Sequence, residues 1–153
     1  MAASAVEDAL DAIRTDLLGI DATNLYTYSV VEVHRDVVDP RQKPAIVMVP
    51  GRLIPGGAPS NLASNYRRFY ALPLRLIGHL ETTDTARTID TQLWLFEADI
   101  RLAMTSPTTH RHNDFVLETI HDGSEVGAIE GNQIGAVVAD YTIKITDIWS
   151  DTA

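Results

Sequence analysis

The chain predicts one α+β domain: a mostly antiparallel sheet of about five strands with two main helices packed on one face. Three observations carry this. Apolar residues recur at helical spacing near the N-terminus and again between positions 88 and 104. Near the C-terminus, Val137, Ala139, Tyr141, Ile143 and Ile145 alternate strictly with Val138, Asp140, Thr142, Lys144 and Thr146, the period of a half-buried strand. The order is helix, three strands, helix, two strands, and 153 residues suffice for a single core.

Taken in order, Ser4 followed by Glu7 has capping-box spacing, and Val6, Leu10, Ile13 and Leu17 then form one helical stripe that Gly19 can end. Tyr28 to Val38 reads as a strand with Val31, Val33 and Val37 on one face and Glu32, His34 and Asp36 on the other. Ala45 to Val49 is apolar at every position, as in a strand covered on both faces. From Pro50 to Asn65, three prolines and three glycines predict an exposed loop or arm, extending to about residue 68. Phe69 to Leu80 alternates again, and Pro73 within it suggests a sheet edge or a bulge.

After a polar turn from Glu81 to Arg87, a helix is expected over roughly Thr88 to Met104, with Ile89, Leu93, Phe96, Ile100 and Ala103 on its buried face. Leu95, Ala98 and Leu102 form a second, smaller stripe, a candidate subunit interface. Thr105 to Asp114 reads as a polar loop, Phe115 to His121 as a strand and Asp122-Gly123 as a turn. No repeat or low-complexity tract interrupts this plan, so residues 1–153 are expected to form one domain.

Composition narrows the function. Hydrophobic residues at 45% and charged residues at 22% are ordinary for a globular protein. The chain has no cysteine, which excludes a disulfide scaffold and thiolate metal sites and fits a reducing cytoplasm. No apolar run approaches the ~18 residues of a membrane span, and Glu7 and Asp8 stand where a signal peptide needs bases, so no membrane partner and no export are expected. A formal net charge of −9 argues against broad binding to nucleic acid, which relies on Lys and Arg at the phosphates.

The charge is also segregated. Between Pro40 and Leu80 there is no Asp or Glu, yet Arg41, Lys43, Arg52, Arg67, Arg68 and Arg75 make up half of the 12 Lys and Arg. A basic segment on an acidic protein offers an acidic neighbour something to hold. Arg52, Tyr66, Arg67 and Arg68 are therefore the candidate interface residues, since arginine and aromatics anchor interfaces, with Leu95 and Leu102 as the second candidate set. Passing nucleic acid is the other partner these arginines could face.

Patterns for chemistry are sparse. His110, His112 and Asp114, with His34, His79 and His121 elsewhere, make the only cluster resembling a metal site, and their spacing fits no ligand pattern; solvated loop histidines are the preferred reading. Gly51-Arg52-Leu53-Ile54-Pro55-Gly56-Gly57 lacks the Lys-Ser/Thr pair of a phosphate-binding loop, and no serine, Ser60 and Ser64 included, stands in a nucleophile elbow. Asp90, Glu97 and Asp99 are read as charges on the solvent flanks of the second long helix. No catalytic residue, metal or cofactor is expected.

The layout resembles the tail terminator, or tail-completion, proteins of long-tailed bacteriophages. The resemblance covers roughly Ser4 to Ile148. It rests on the opening amphipathic helix, the strand ending near Val37, the strand Ala71-Leu72-Pro73-Leu74-Arg75-Leu76-Ile77-Gly78-His79-Leu80, an acidic Thr-rich turn, the helix Leu93 to Met104 with Ala98-Asp99-Ile100, and the closing strand Ala136 to Ile145. The long Pro50 to Asn65 segment and the His110 to Asp114 loop depart from it. What the resemblance implies is a structural virion protein without a catalytic site: a homo-oligomeric ring, typically a hexamer, made in the host cytoplasm and placed at the tail-neck junction. Such a ring caps the head-proximal end of the tail tube protein, stops its polymerisation and receives the head connector, with DNA passing through. A head-tail connector or stopper protein is the nearest alternative; a metal-dependent hydrolase using His110, His112 and Asp114 is the competing class.

Overall fold

A computed structural model describes residues 4–36, 39–40, 42–55, 65–106, 112–128 and 133–150, the side chains of 65–68 and 147–150 excepted. The first element, α1 (Ala5–Leu18), begins where the Ser4 side chain accepts the Glu7 amide at 3.4 Å. Only half of the expected capping box forms. The Glu7 carboxylate does not turn back to the cap but receives both terminal nitrogens of Arg35, each at 3.2 Å, and thereby ties the helix to the next strand. Ala5, Ala9, Leu10, Ile13 and Leu17 are buried. Gly19 ends the helix in a right-handed conformation, its amide on the carbonyls of Thr15 and Asp16.

The strand expected over Tyr28 to Val38 is reduced to β1 (Glu32–His34). Val33 is buried but Val31 is exposed, and Val37 lies outside the described residues. The reason is competition for the backbone. The amides of Thr27 and Tyr28 are taken by Asp99, that of Ala22 by the Ser29 hydroxyl, and that of Val30 by the Ile20 carbonyl, so residues 20–30 form a pinned connection with Ile20 and Val30 turned inward.

β2 (Ala45–Pro50) is covered as its composition suggests, Ala45 to Met48 all being buried. It pairs in parallel with β1 and antiparallel with β4 (Asn65–Glu81), a strand of 17 residues. Within the expected loop, β3 (Ile54–Pro55) pairs with Ala71 and Tyr70 of β4. The loop otherwise falls on residues 56–64, outside those described.

β4 is a central strand, not the edge that Pro73 suggested. β2 pairing ends at Leu74 and β3 pairing begins at Ala71, so on that flank Pro73 sits at the break between two partners. Its carbonyl accepts the Gly51 amide at 2.7 Å, and its missing N–H faces a place where no strand asks for one.

α2 (Ile89–Thr105) is capped by the Thr88 side chain and buries Leu93, Phe96, Ile100, Ala103 and Met104. β5 (Val116–Ala128) then runs straight through Asp122-Gly123. That pair is a bulge rather than a turn, with Gly123 at φ 155°, a backbone conformation open chiefly to glycine. β6 (Ile134–Ser150) pairs with β4 at all 17 of its positions and with β5 on its other side.

Among the described residues the sheet therefore has six strands in the order β1-β2-β4-β6-β5, with β3 added to β4, and only the β1–β2 pair is parallel. One face, lined by Leu72, Leu74, Leu76 and Leu80 of β4 and by the odd-numbered apolar residues of β6, joins both helices in a single core. The α+β fold is as the sequence predicts, with one short strand more than expected.

Two glycines set how closely α2 approaches. At Gly78 an added Cβ would lie 2.8 Å from the Phe96 ring and 3.0 Å from Ile100, and at Gly135 it would meet Leu93. Gly78→Ala should therefore lift α2 and destabilise the fold by about 1 to 3 kcal/mol. The measurement is the midpoint of urea unfolding, which should fall with the slope unchanged.

Candidate functional site

The basic segment divides into paired and unpaired parts. Lys43 meets Glu81 at 3.7 Å, and Arg75 grips Asp140 with two hydrogen bonds of 2.8 and 3.2 Å across the β4–β6 ladder. That hydrogen-bonded pair holds Asp140 below the usual carboxylate range and raises the guanidinium of Arg75. Arg52, between β2 and β3, is exposed and forms no ion pair among the described residues.

Tyr66, Arg67 and Arg68 do not belong to a loop. They stand in β4, opposite Trp149, Ile148 and Asp147 of β6. Paired positions of β5 stop at Ile145 and those of β3 at Tyr70, so among the described residues the five positions Asn65–Phe69 pair only with Thr146–Ser150. The fold thus places Arg67 and Arg68 at the two-stranded end of its longest ladder. β-formers such as Tyr66, Phe69, Ile148 and Trp149 explain why the strand begins before Phe69.

The second candidate set is split. Leu102 is 37% exposed, Ala98 is exposed and Leu95 is half-buried; Trp94, which sequence reasoning passed over, is 46% exposed. The flanking charges depart from expectation, because Glu97 and Asp99 are buried. Asp99 accepts the Thr27 amide on both oxygens at 3.0 Å and the Tyr28 amide at 2.8 Å. Burial raises its pKa, outweighing the two backbone donors that lower it.

Glu97 reaches Arg101 at 3.1 Å through one oxygen, while its other oxygen and the Tyr141 hydroxyl are buried without hydrogen bonds. Burial first, and the Glu97 charge second, make the Tyr141 phenol harder to ionise. Gln92 is also buried, its amide nitrogen bonded to the carbonyls of Asp84 and Arg87 at 3.1 Å each. Asp99 and Gln92 fasten α2 to its surroundings, whereas Glu97 bonds within the helix, and only Asp90 of the expected solvent carboxylates is exposed.

The described histidines do not gather. His110 lies outside the described residues, Asp114 is exposed, and His112 is not the solvated loop residue expected: its side chain is buried and bonds Asp16 of α1 at 2.5 Å. His34 pairs with Glu32 at 2.9 Å, and His121 meets Ser124 at 2.7 Å. Burial and nearby Lys43 lower the pKa of His79. Among the described residues no three His, Asp or Glu side chains form a group that could hold a metal. The Gly51 amide, committed to Pro73, is not offered to a phosphate.

The sheet face away from the helices carries an open groove of about 380 Å³. Pro50, Gly51, Pro73, Arg75, Asp122 and Asp140 are among the residues that line it. A smaller hollow beside it, about 240 Å³, is lined by Gly123, Ser124, Glu125, Val138 and Asp140. Sequence reasoning missed this face, because the residues come from four strands, β2, β4, β5 and β6, and meet only through their register.

The chain matches no family model and no curated protein.

Asp99→Ala should leave two backbone amides without their acceptor and destabilise the protein by about 2 to 4 kcal/mol, read by denaturant unfolding. Asp99 also has a pH signature. Its folded pKa lies above the unfolded 3.8, so its contribution is fully present below that value and is lost as pH rises through the folded one. Asp99→Asn should abolish that decline, seen as a smaller drop in Tm than wild type as pH is raised through this window.

Proposed function

We propose that this chain is a structural assembly protein of the tail-terminator kind. It forms a homo-oligomeric ring, in this reading a hexamer, that caps the head-proximal end of a phage tail tube, halts tube growth and presents a surface to the head connector, with DNA passing through. The observation that carries the proposal is the disposition of the acid-free segment. Lys43 and Arg75 are neutralised within the chain, whereas Arg52 is exposed and Arg67 and Arg68 stand at the end of β4 that, among the described residues, pairs with β6 only, on a protein of net charge −9. Basic groups at an extremity of an acidic body suit contact between copies. The α–β–α–β order of the fold agrees with the pattern of that family.

A connector or stopper of the same neck region shares these features and remains the neighbouring reading. The hydrolase reading gains nothing from His112, which is engaged with Asp16, or from exposed Asp114.

Sedimentation velocity and negative-stain microscopy test the proposal. A closed ring indifferent to chelators is expected, and Arg67→Glu/Arg68→Glu should lose it while keeping the wild-type circular dichroism and Tm. Unaltered assembly of the double variant would remove the arginine interface. A monomer carrying stoichiometric metal would overturn the structural role itself.

A further inference from the structure

We infer that the solvent face of α2 recognises the same face of a second copy of this chain, the two helices lying antiparallel about a two-fold axis at the level of position 96. The contact is separate from the arginine end of β4 and does not rest on the ring reading. The first argument is exposure. Trp94 and Leu102 stand 46% and 37% exposed on α2, with Ala98 exposed between them. An indole left half in water has apolar burial still to gain, and tryptophan is prominent among the side chains that anchor interfaces.

The second argument is charge. At 3.6 residues per turn, Asp90, Trp94, Ala98 and Arg101 fall within about 80° of one another around the helix. Arg101 engages Glu97 through its Nε at 3.1 Å, and its side chain is still half exposed. Asp90 is exposed and forms no ion pair among the described residues. The two are eleven positions apart, about 16 Å along the axis, so they cannot meet within one helix. An antiparallel second copy brings them together. In a register centred on position 96, position 90 faces 102 and position 91 faces 101, which sets each Asp90 one residue's rise from Arg101 of the other copy, on the same flank, twice over.

The third argument is shape. The same register sets Trp94 against Ala98 of the other copy on both sides of the axis, and the alanine methyl leaves room for the ring at the about 8–10 Å spacing of packed helices. Large meets small and acid meets base under one rotation. That is what an isologous contact requires of a single surface, whereas a parallel pairing would set Asp90 on Asp90 and Trp94 on Trp94. Such a contact closes at two copies, so a ring needs a second, different surface.

Trp149→Phe leaves Trp94 as the only tryptophan, and its emission should move to the blue as concentration rises and sedimentation velocity shows one copy becoming two. Ala98→Glu, at an exposed position, should raise the dissociation constant of the pair at least about tenfold with circular dichroism and Tm unchanged. The absence of cysteine adds a test of register that needs no change at Trp149. Thr91→Cys mixed with Leu102→Cys should be joined by a short bis-maleimide, whereas Thr91→Cys alone should not, its two copies lying about 15 Å apart along the axis. The pair should persist in Arg67→Glu/Arg68→Glu protein. Emission that does not move at any concentration, or a pair that withstands Ala98→Glu, overturns the α2 contact and leaves the ring reading standing. Thr91→Cys linking to itself as readily as to Leu102→Cys overturns the antiparallel arrangement. Wild-type protein that stops at the pair supports the contact and removes the ring.

Discussion

The rest of the molecule depends on the ladder between β4 and β6. Its 17 paired positions tie residues 65–81 to residues 134–150; β2, β3 and β5 are each added to one of these two strands, and β1 is added to β2. A two-stranded ribbon is marginal alone in water. Here its middle is made secure because one face alternates Leu72, Leu74 and Leu76 with Ala139, Tyr141 and Ile143 under α2, burying a continuous apolar surface. At its far end the same ladder outruns its neighbours, and the strand that builds the core also carries Arg67 and Arg68 away from it. Core and extremity are one covalent and hydrogen-bonded object.

The connections are held to this frame by polar side chains, of which Asp99 and His112 are taken out of water while Arg14 stays exposed. Asp99 fastens the 27–28 backbone to α2, Arg14 donates to the Val33 carbonyl at 3.1 Å, and His112 fastens the approach to β5 to α1 through Asp16. Each bond joins segments far apart in sequence. Buried groups of this kind cost stability when unpaired, so each acts against alternative placements of its segment as well as in favour of the observed one.

Where periodicity was long and local, the sequence was sufficient. The two helices and β6 follow directly from apolar spacing, and β2 from its unbroken apolar run. Legibility ended where a distant side chain decided the outcome. Val31, Val33 and Val37 alternate as a strand should, but the preceding amides are claimed by Asp99, 72 and 71 residues away. Asp122-Gly123 has the composition of a turn and is a bulge, since local chemistry cannot reveal that β6 offers partners on both sides of it. Glu97 and Asp99 read as solvent flanks because a helical wheel does not show what packs beside the helix. For the candidate site, Arg52 is exposed as expected, but the strand membership of Tyr66 to Arg68 and the groove itself arise from register between strands.

Pro73 has a consequence beyond tolerance. A growing sheet recruits another chain through rows of free amides and carbonyls, and the break between β2 and β3 would expose such a row in the middle of β4. At that point the one carbonyl is already occupied by Gly51 and the amide hydrogen does not exist. The opening is thus inert to strand addition. A second chain meeting that point could not be absorbed into the sheet there, and so could not begin the pairing that leads to fibres.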